Sequence, residues 1–386
     1  MRRHNWLQTT LLRWQRELAA EGARLSDGRP VRAGPYYILE LTPRCTQDCL
    51  YCYNVWKQRP ELATGELDTQ GWCELIAKLQ DEADGTRPNG CRQVTFSGGE
   101  PLLRDDFRDI LAFCHRRGLE SILITNGGLL DADTLDFCLD HGVTMFELTL
   151  LGADAGTHDR LTRTPGSWER ALAAMTRLYK ADAPWCGVFV ATCDNVDQTR
   201  QTLEMIVALG ATAVMFNRFN PGGEGARHLD MMPTVEQVQN ALAVVDEMAA
   251  TYDLFATASI PIMPCLIDTT PYRHVGLGFC AAGQDNAYYT IGPDGRVRPC
   301  NHSGTVLGDL RTQSLVEILS GPELATFTAA APSVCRPCPG LSTCRAGCRA
   351  AAEVCFDSLA EPEPWLRANL ERLPPAPPTR HSSFDV

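Results

Sequence analysis

The sequence predicts an α/β fold, a partial (β/α)6 barrel followed by a loop-rich, cysteine-rich domain. Between about residues 36 and 219, short β-rich runs alternate with stretches of helical periodicity. The β-rich runs are apolar almost throughout, as expected for parallel strands that helices cover. After about residue 265 the composition shifts to Gly, Pro and Cys, which leaves little regular core. These observations favour an open parallel barrel with a second domain of a different kind.

Six strands are predicted from short runs rich in β-branched and aromatic residues. They are YYILELT, QVTFSG, SILITNG, MFELTLLG, GVFVATC and AVMFNRF. Helical patterns lie between these strands. In TQGWCELIAKLQDEA, the residues Trp72, Leu75, Ile76 and Leu79 fall on one helical face. A similar apolar stripe occurs in SWERALAAMTRLYK, which begins with a Ser at its expected N-cap. Because parallel strands need long return connections, the intervening helices predict a parallel sheet. In βα barrels the chemistry gathers at the C-terminal ends of the strands.

Five segments are expected along the chain. They are a helical extension (1–34), the barrel (35–231), a linking helix region (232–264), the cysteine-rich domain (265–360) and a C-terminal helix with a disordered tail (361–386). The N-terminal stretch MRRHNWLQTTLLRWQRELAAEG is amphipathic, without the apolar core or cleavage site of a signal peptide. The final stretch, PPAPPTRHSSFDV, is rich in Pro and polar residues, which predicts disorder.

The composition excludes several classes of partner. The chain has 386 residues, 44% of them hydrophobic, which is enough for a large core. A net charge of −12 disfavours a nucleic-acid-binding surface, since phosphate neutralisation needs clustered Lys and Arg. No apolar run reaches the roughly 20 residues needed to cross a bilayer. We therefore expect a cytoplasmic protein without nucleic-acid or membrane partners.

Seventeen cysteines are the outlying feature of the composition. In a long chain without an export signal they indicate metal ligation or plain burial rather than a disulfide framework. Six stand alone in apolar patterns and are expected to be buried structural thiols: Cys73, Cys91, Cys114, Cys138, Cys186 and Cys193. The others are grouped.

The first group is CTQDCLYC, which follows the first predicted strand and contains Cys45, Cys49 and Cys52. Three thiolates can hold three irons of a [4Fe–4S] cluster and leave the fourth iron open to a small molecule. A zinc site is the alternative, but structural zinc sites are four-coordinate and no fourth Cys or His lies nearby. The loop therefore predicts an iron–sulfur cluster at the mouth of the barrel.

CxxxCxxC after a first strand resembles the radical S-adenosylmethionine (radical SAM) superfamily. The resemblance implies that the amine and carboxylate of SAM chelate the fourth iron. It also implies that an electron from the cluster cleaves the sulfonium to give a 5′-deoxyadenosyl radical, which abstracts hydrogen from a substrate. An external reductant such as flavodoxin or ferredoxin would then be a partner. Tyr51 occupies the usually aromatic place before the third cysteine, implying contact with adenine.

Two further motifs support the resemblance. SGGEP resembles the superfamily's GGE motif, which implies that Ser97, Gly98, Gly99 and Glu100 meet the SAM amino group. The two glycines would let the backbone approach the ligand, and the carboxylate would face a cation. TNGG resembles the TNG that follows the next strand in many members, and its first two residues are Thr125 and Asn126.

The segment after the fourth strand, TLLGADAGTHDRLTRTPGS, departs from the superfamily pattern. Thr149 keeps a hydroxyl where Ser is usual, but Leu151 replaces an Asp. Thr162 stands where the superfamily has an Arg that binds the SAM carboxylate. We therefore expect Arg160 or Arg163 to take that role.

The second cysteine group resembles the seven-cysteine SPASM signature, C…GxxxxC…CxxCxxxxxCxxxC…C, with every spacing met. The resemblance implies two auxiliary [4Fe–4S] clusters, three clusters in all. It implies an outer cluster held by Cys335, Cys338, Cys344 and Cys355. It implies an inner cluster held by Cys280, Cys300 and Cys348.

The inner cluster is then one ligand short. Cys265 is the obvious candidate, and the alternatives are an open iron that receives substrate or a ligand such as Asp285. A pair of zinc knuckles is the other interpretation of the whole array, because CxxC pairs are common zinc ligands.

Three functions remain open from the sequence. SPASM proteins resembling this one mostly modify peptides, which favours a ribosomally made peptide that is crosslinked or oxidised. The alternatives are oxidation or dehydrogenation of a small biosynthetic intermediate, and an electron carrier without SAM chemistry. Only about 35 residues precede the first strand, so a separate leader-recognition protein is a candidate partner. No catalytic acid or base can be named, although Glu147, Asp194, Asn217 and Arg218 lie near strand ends.

Overall fold

The described part of the chain is built around a single β-sheet of eleven strands. The structure is a computed structural model and describes residues 36–81, 91–284 and 287–373. The sheet contains β1 (Tyr36–Glu40), β2 (Gln93–Ser97), β3 (Glu120–Thr125), β4 (Val143–Thr149), β5 (Trp185–Ala191), β6 (Ala213–Arg218), β7 (Phe255–Ala258), β8 (Val275–Leu277), β9 (Tyr289–Ile291), β10 (Arg296–Arg298) and β11 (Gly308–Asp309). The predicted N-terminal helix, the predicted disordered tail beyond residue 373 and Asp285 lie outside the described residues.

The strand order is β11-β10-β9-β1-β2-β3-β4-β5-β6-β7-β8, so the sheet is open and does not close into a barrel. Strands β1 to β8 run parallel, and β9 joins β1 in parallel through Tyr37 opposite Tyr289. β10 is antiparallel to both β9 and β11. The six predicted parallel strands are confirmed. Five short strands were missed, and they extend the same sheet on both sides.

Helices α1 to α7 lie between successive strands of the sheet, and α8 to α12 follow the last strand. They are α1 (Thr69–Asp81), α2 (Phe107–Arg116), α3 (Ala132–Asp140), α4 (Ala155–Thr162), α5 (Ser167–Lys180), α6 (Thr199–Ala208), α7 (Val235–Tyr252), α8 (Leu315–Leu319), α9 (Pro322–Ala329), α10 (Leu341–Cys344), α11 (Arg349–Phe356) and α12 (Pro364–Arg367). The predicted stripe of α1 is buried. At α5, Gly166 rather than Ser167 is the N-cap, because its φ of 75° turns the chain into the helix. Within the described ranges, no helix is both long and apolar enough to span a membrane.

The two faces of each barrel strand have different neighbours. On β4, Phe146 and Leu148 join the large core beneath the helices. Met145 points to the other face of the sheet, its inner face, where it packs with Cys186 and Ala213. Glu147 and Thr149 share that inner face because side chains alternate along a strand. The inner face therefore carries polar side chains toward the C-terminal ends of the strands.

Candidate functional site

The cysteine loop follows β1 and lies at the C-terminal edge of the sheet. Cys45 is exposed, while Cys49 and Cys52 are half-buried. Burial, then the neighbouring thiol of Cys52, raises the pKa of Cys49, and burial raises the pKa of Cys52 to about 11. The three thiols therefore lie within electrostatic reach of one another and stay protonated unless a positive charge stabilises the thiolates. A cluster of iron ions supplies that charge, so this donor set fits the predicted metal site.

Gly98 and Gly99 hold this loop against the end of β2. The Gly99 amide donates to the Thr42 carbonyl at 2.7 Å, and the Glu100 amide donates to the Arg44 carbonyl at 2.8 Å. A Cβ at Gly98, whose φ is 126°, would lie 2.5 Å from the Thr42 oxygen, and one at Gly99 would lie 2.0 Å from the Arg44 oxygen. Contact with the backbone at Thr42 and Arg44 is therefore enough to require glycine at both positions, even without a bound ligand.

Replacing Gly99 by Ala is expected to displace the cysteine loop, because the new Cβ cannot coexist with the Arg44 carbonyl. Overpacking of this kind costs roughly 1–3 kcal/mol in the free energy of unfolding. Denaturant unfolding and the iron content after anaerobic reconstitution measure the effect. Gly65→Ala is the matched control, since nothing lies within 4 Å of its Cβ position. Equal stability and iron content in the two variants would contradict the expectation.

Glu100 links the cysteine loop to the end of β3. Its carboxylate is fully buried and accepts from the Thr125 hydroxyl at 2.8 Å and the Asn126 amide at 2.9 Å. Burial raises the pKa of Glu100 to about 7, although these hydrogen bonds act against the rise. The Asn126 side chain in turn donates to the Thr46 hydroxyl at 2.9 Å. The carboxylate therefore faces the protein rather than the open end of the strands. It positions Asn126 beside the cysteine loop.

Arg160 and Arg163 lie at different places around the mouth. Arg163 ends α4 in a left-handed conformation, with its guanidinium 3.1 Å from Glu224 and 3.4 Å from Asp48 of the cysteine loop. Arg160 is paired with Asp194 beyond β5 at 2.7 Å. Of the two, the structure brings Arg163 to the cysteine loop.

Tyr51 and Thr149 complete the predicted cofactor residues. Tyr51 packs against an apolar cluster that contains Leu151, Leu161 and Phe219, and burial, followed by the nearby Cys49 thiol, raises the pKa of its hydroxyl. Thr149 is half-buried at the C-terminal end of β4. Tyr51 thus packs the cysteine loop against residues that follow the central strands β4 and β6.

The four polar residues named near strand ends have separate environments. Glu147 lies on the inner face, where burial alone raises its pKa to about 7. The Asn217 side chain accepts from the Ser259 hydroxyl at 2.9 Å. Arg218 is fully buried and bound to Glu363, so it faces the protein interior rather than a substrate. Of these residues, Glu147 is the one that presents a carboxyl group to the interior of the barrel.

The inner cysteine group surrounds a cavity beside the barrel mouth. Cys280, Cys300 and Cys348 all line it, as does His302. The His302 ring stacks on Tyr53, which directly follows the cysteine loop, with centroids 4.3 Å apart, and burial lowers the pKa of His302 to about 4. Three thiols around a cavity fit a cluster site. The stacked pair connects that site to the first cysteine loop, a contact that sequence spacing did not indicate.

The remaining cysteines of the second array form another group. Burial, followed by the thiols of Cys265, Cys344 and Cys338, raises the pKa of Cys335 to about 11. Within the described ranges, no three His, Cys, Asp or Glu side chains converge tightly enough to hold a single metal ion. The thiolates of a cubane bind different irons, so they need not converge on one point.

Two family patterns and several relatives match the chain. The pattern of the radical SAM superfamily matches residues 39–206, and that of an iron–sulfur cluster-binding domain, SPASM, matches residues 280–339. The PqqA peptide cyclase of Granulibacter bethesdensis is 29% identical over 323 residues, which cover 82% of each chain. The AdoMet-dependent heme synthase of Methanosarcina barkeri is 27% identical over 343 residues, which cover 84% of this chain and 94% of that protein.

Solved structures share the fold. Native anSMEcpe with bound AdoMet and Cp18Cys peptide superposes with a TM-score of 0.65 at 16% identity, covering 88% of this chain and 95% of that one. Streptococcus suis SuiB bound to the precursor peptide SuiA gives 0.63 at 12% identity, covering 86% and 75%. At these identities the likeness concerns the fold alone. The two family matches agree with the cysteine loop and the second cysteine array. The chain therefore belongs to the radical SAM superfamily, as an enzyme with an iron–sulfur-binding SPASM domain.

Proposed function

We propose that this enzyme modifies a ribosomally made peptide, forming a crosslink or oxidising a side chain after hydrogen abstraction. The observation that carries the proposal is the three-thiol loop held by Gly98 and Gly99 at the ends of the parallel strands, next to the inner face of the sheet. Similarity to a PqqA peptide cyclase over 82% of each chain supports a peptide as the substrate.

The proposed cofactor site is built from the residues around the loop. Cys45, Cys49 and Cys52 would hold a [4Fe–4S] cluster, which supplies one-electron cleavage of the SAM sulfonium when it is bound. Asn126, held by Glu100, would orient polar groups of SAM. The other proposed contacts are Tyr51, Ser97, Gly98, Gly99, Thr125, Thr149 and Arg163, with Arg160 as the alternative to Arg163.

The second cysteine array would hold two auxiliary clusters, which makes three in all. A substrate radical must lose or gain an electron to become a closed-shell product, and protein-bound clusters cover a wide range of potentials. The cysteines that line the inner cavity and the Tyr53–His302 stack support a path for that electron. We propose flavodoxin or ferredoxin as the external reductant and a separate protein for leader recognition.

The test is an anaerobic reaction of the reconstituted chain with SAM, dithionite and a candidate precursor peptide chosen from short reading frames beside its gene. We expect 5′-deoxyadenosine together with loss of two hydrogens from the peptide, both measured by mass spectrometry, and about twelve irons per chain. The same peptide incubated without SAM is the control. An unchanged peptide alongside continued 5′-deoxyadenosine release would contradict peptide modification.

A small biosynthetic intermediate is the second candidate substrate. The relative that favours it is the AdoMet-dependent heme synthase, 94% of which is covered by the match. An iron-free or iron-bound tetrapyrrole added in place of the peptide separates the two proposals. Conversion of the tetrapyrrole, with the peptide left intact, would favour the small-molecule function.

A further inference from the structure

We propose that Glu147 contacts the substrate inside the barrel and accepts the proton that the substrate loses after hydrogen abstraction. This assignment rests on the proposed function. A peptide that becomes two hydrogens lighter after a single abstraction loses one hydrogen as an atom, and the other as a proton and an electron. The proton needs an acceptor close to the substrate.

Glu147 lies on the inner face of β4, two residues before Thr149 at the C-terminal end of that strand. Because side chains alternate along a strand, the two residues point to the same side, and Glu147 lies roughly 6–7 Å deeper along the strand. Thr149 is one of the proposed SAM contacts. A substrate that meets SAM from the inside of the barrel therefore comes close to Glu147.

The side chains beside Glu147 on the inner face are mainly apolar. Ile124 of β3 and Cys186 of β5 lie in register with it on its two sides. Cys186 belongs with Met145 to the small buried cluster of this face. The Cys186 thiol is the titratable group that faces Glu147 from a neighbouring strand, and burial, followed by Glu147, raises the pKa of that thiol. The carboxyl group thus has apolar surroundings that offer it no counter-charge.

The carboxyl group of Glu147 has no partner within the described ranges, neither a hydrogen bond nor an ion pair. The residue is half-buried, and its oxygens keep accessible surface. Burial raises the pKa of Glu147 to about 7 because the charged form is disfavoured in these surroundings. A carboxyl group with this pKa is partly ionised at neutral pH, as a proton acceptor must be.

Three other carboxyl groups at the C-terminal ends of strands are already in use. Glu40 is in a buried ion pair with Arg298. Glu100 accepts three hydrogen bonds from the protein, and Asp194 is in an ion pair at the mouth. A carboxyl group left unpaired on an apolar surface lowers stability, so a ligand explains Glu147 better than folding does.

The proposed reaction conserves atoms and electrons. Hydrogen abstraction breaks one carbon–hydrogen bond of the substrate and leaves a carbon radical. One electron then passes to the proposed inner auxiliary cluster, and one proton leaves a neighbouring N–H, O–H, S–H or C–H group for the Glu147 carboxylate. The substrate gains a new bond and becomes a closed-shell product, while the carboxylate becomes a carboxylic acid that later releases its proton to solvent.

The test compares Glu147→Gln with Glu204→Gln as the matched control. The amide keeps the size and polarity of the side chain but cannot take up the proton. Glu204 lies exposed on α6, away from the inner face. Each reconstituted variant and the unmodified chain react anaerobically with SAM, dithionite and the candidate precursor peptide over a range of pH. Oxidised peptide and 5′-deoxyadenosine are measured together by mass spectrometry.

We expect Glu147→Gln to form product roughly 100-fold more slowly than the unmodified chain, or slower still, while it continues to release 5′-deoxyadenosine. In the unmodified chain and in Glu204→Gln, product formation should rise with pH through about 7, because the acceptor is the ionised carboxylate. Glu147→Gln should lose this dependence.

The opposite results are equally clear. Product formation by Glu147→Gln at the rate of Glu204→Gln overturns the assignment and leaves the proposed function intact. Equal loss of product and of 5′-deoxyadenosine would assign Glu147 to SAM binding and overturns the assignment as well. If the unmodified chain forms no oxidised peptide, the proposed function fails and the assignment fails with it.

Stability provides a readout that does not depend on turnover. Since Glu147 has no partner to lose, Glu147→Gln and Glu147→Met should unfold at no lower denaturant concentration than Glu204→Gln when the reconstituted chains are compared anaerobically. Glu147→Met takes the place of Glu147→Gln in the reaction if the amide variant alone does not fold. A clear loss of stability in both variants would show that the carboxyl group supports the fold, which overturns the assignment.

Discussion

Replacing Cys45, Cys49 and Cys52 together by Ala is expected to abolish 5′-deoxyadenosine formation. These thiols lie together on the loop after β1, and the proposed SAM site has no other source of thiolate ligands among the described residues around that loop. Iron content should fall by about four per chain, while the auxiliary iron remains. Chromatographic assay of the nucleoside and colorimetric iron analysis measure both effects.

Cys73→Ala provides the control for that experiment. Its half-buried thiol lies within α1, where Ala is well tolerated. This variant should keep its iron and its nucleoside release. If the triple variant still cleaved SAM at the rate of the Cys73 variant, the proposed role of the loop would be wrong.

Replacing Arg218 by Met is expected to lower the free energy of unfolding by about 3–5 kcal/mol, because it leaves the buried Glu363 carboxylate without its counter-charge. Both side chains are fully buried, and the guanidinium donates to both carboxylate oxygens at 2.7 and 2.8 Å. Arg218 also donates to the Pro261 carbonyl at 2.9 Å and lies over the Trp365 ring. Denaturant unfolding followed by circular dichroism measures the loss.

Two further variants sharpen this prediction. Adding Glu363→Gln to the Arg218 variant should recover part of the loss, since the uncompensated charge is removed. Arg200→Met is the surface control, because its pair with Glu247 is exposed and should contribute little. Equal stability of the Arg218 and Arg200 variants would show that the buried pair does not hold the barrel to the C-terminal region.

The strands that sequence reasoning found are those with a strong local pattern. β5, for example, is a mostly apolar run of seven residues, and β2 is buried throughout with Val94 and Phe96 at alternate positions. β10 and β11 contain Arg296, Arg298 and Asp309 in segments of only three and two residues, so no periodicity can form. β10 pairs with β9 and β11, which are close to it in the chain, and this small group joins the main sheet because β9 pairs with the distant β1.

The candidate site likewise contains features that could be predicted from the sequence and features that could not. Cysteine spacing is local, so Cys45, Cys49 and Cys52 and the second array could be predicted from the sequence. Contacts between distant segments could not, such as Tyr53 with His302 or Arg218 with Glu363. The glycines were recognised from the sequence, but their close approach to the backbone at Thr42 and Arg44 could not be predicted.

The parallel pairing of β1 with β9 affects the order in which the protein can be made. On the ribosome, β1 emerges among the first of the described strands, whereas its neighbour at Tyr289 emerges only after all of β2 to β8. Contacts so distant in sequence form slowly, because a long loop must close before they stabilise anything. The edge of β1, the strand that leads into the first cysteine loop, therefore stays unpaired on this side until late in translation.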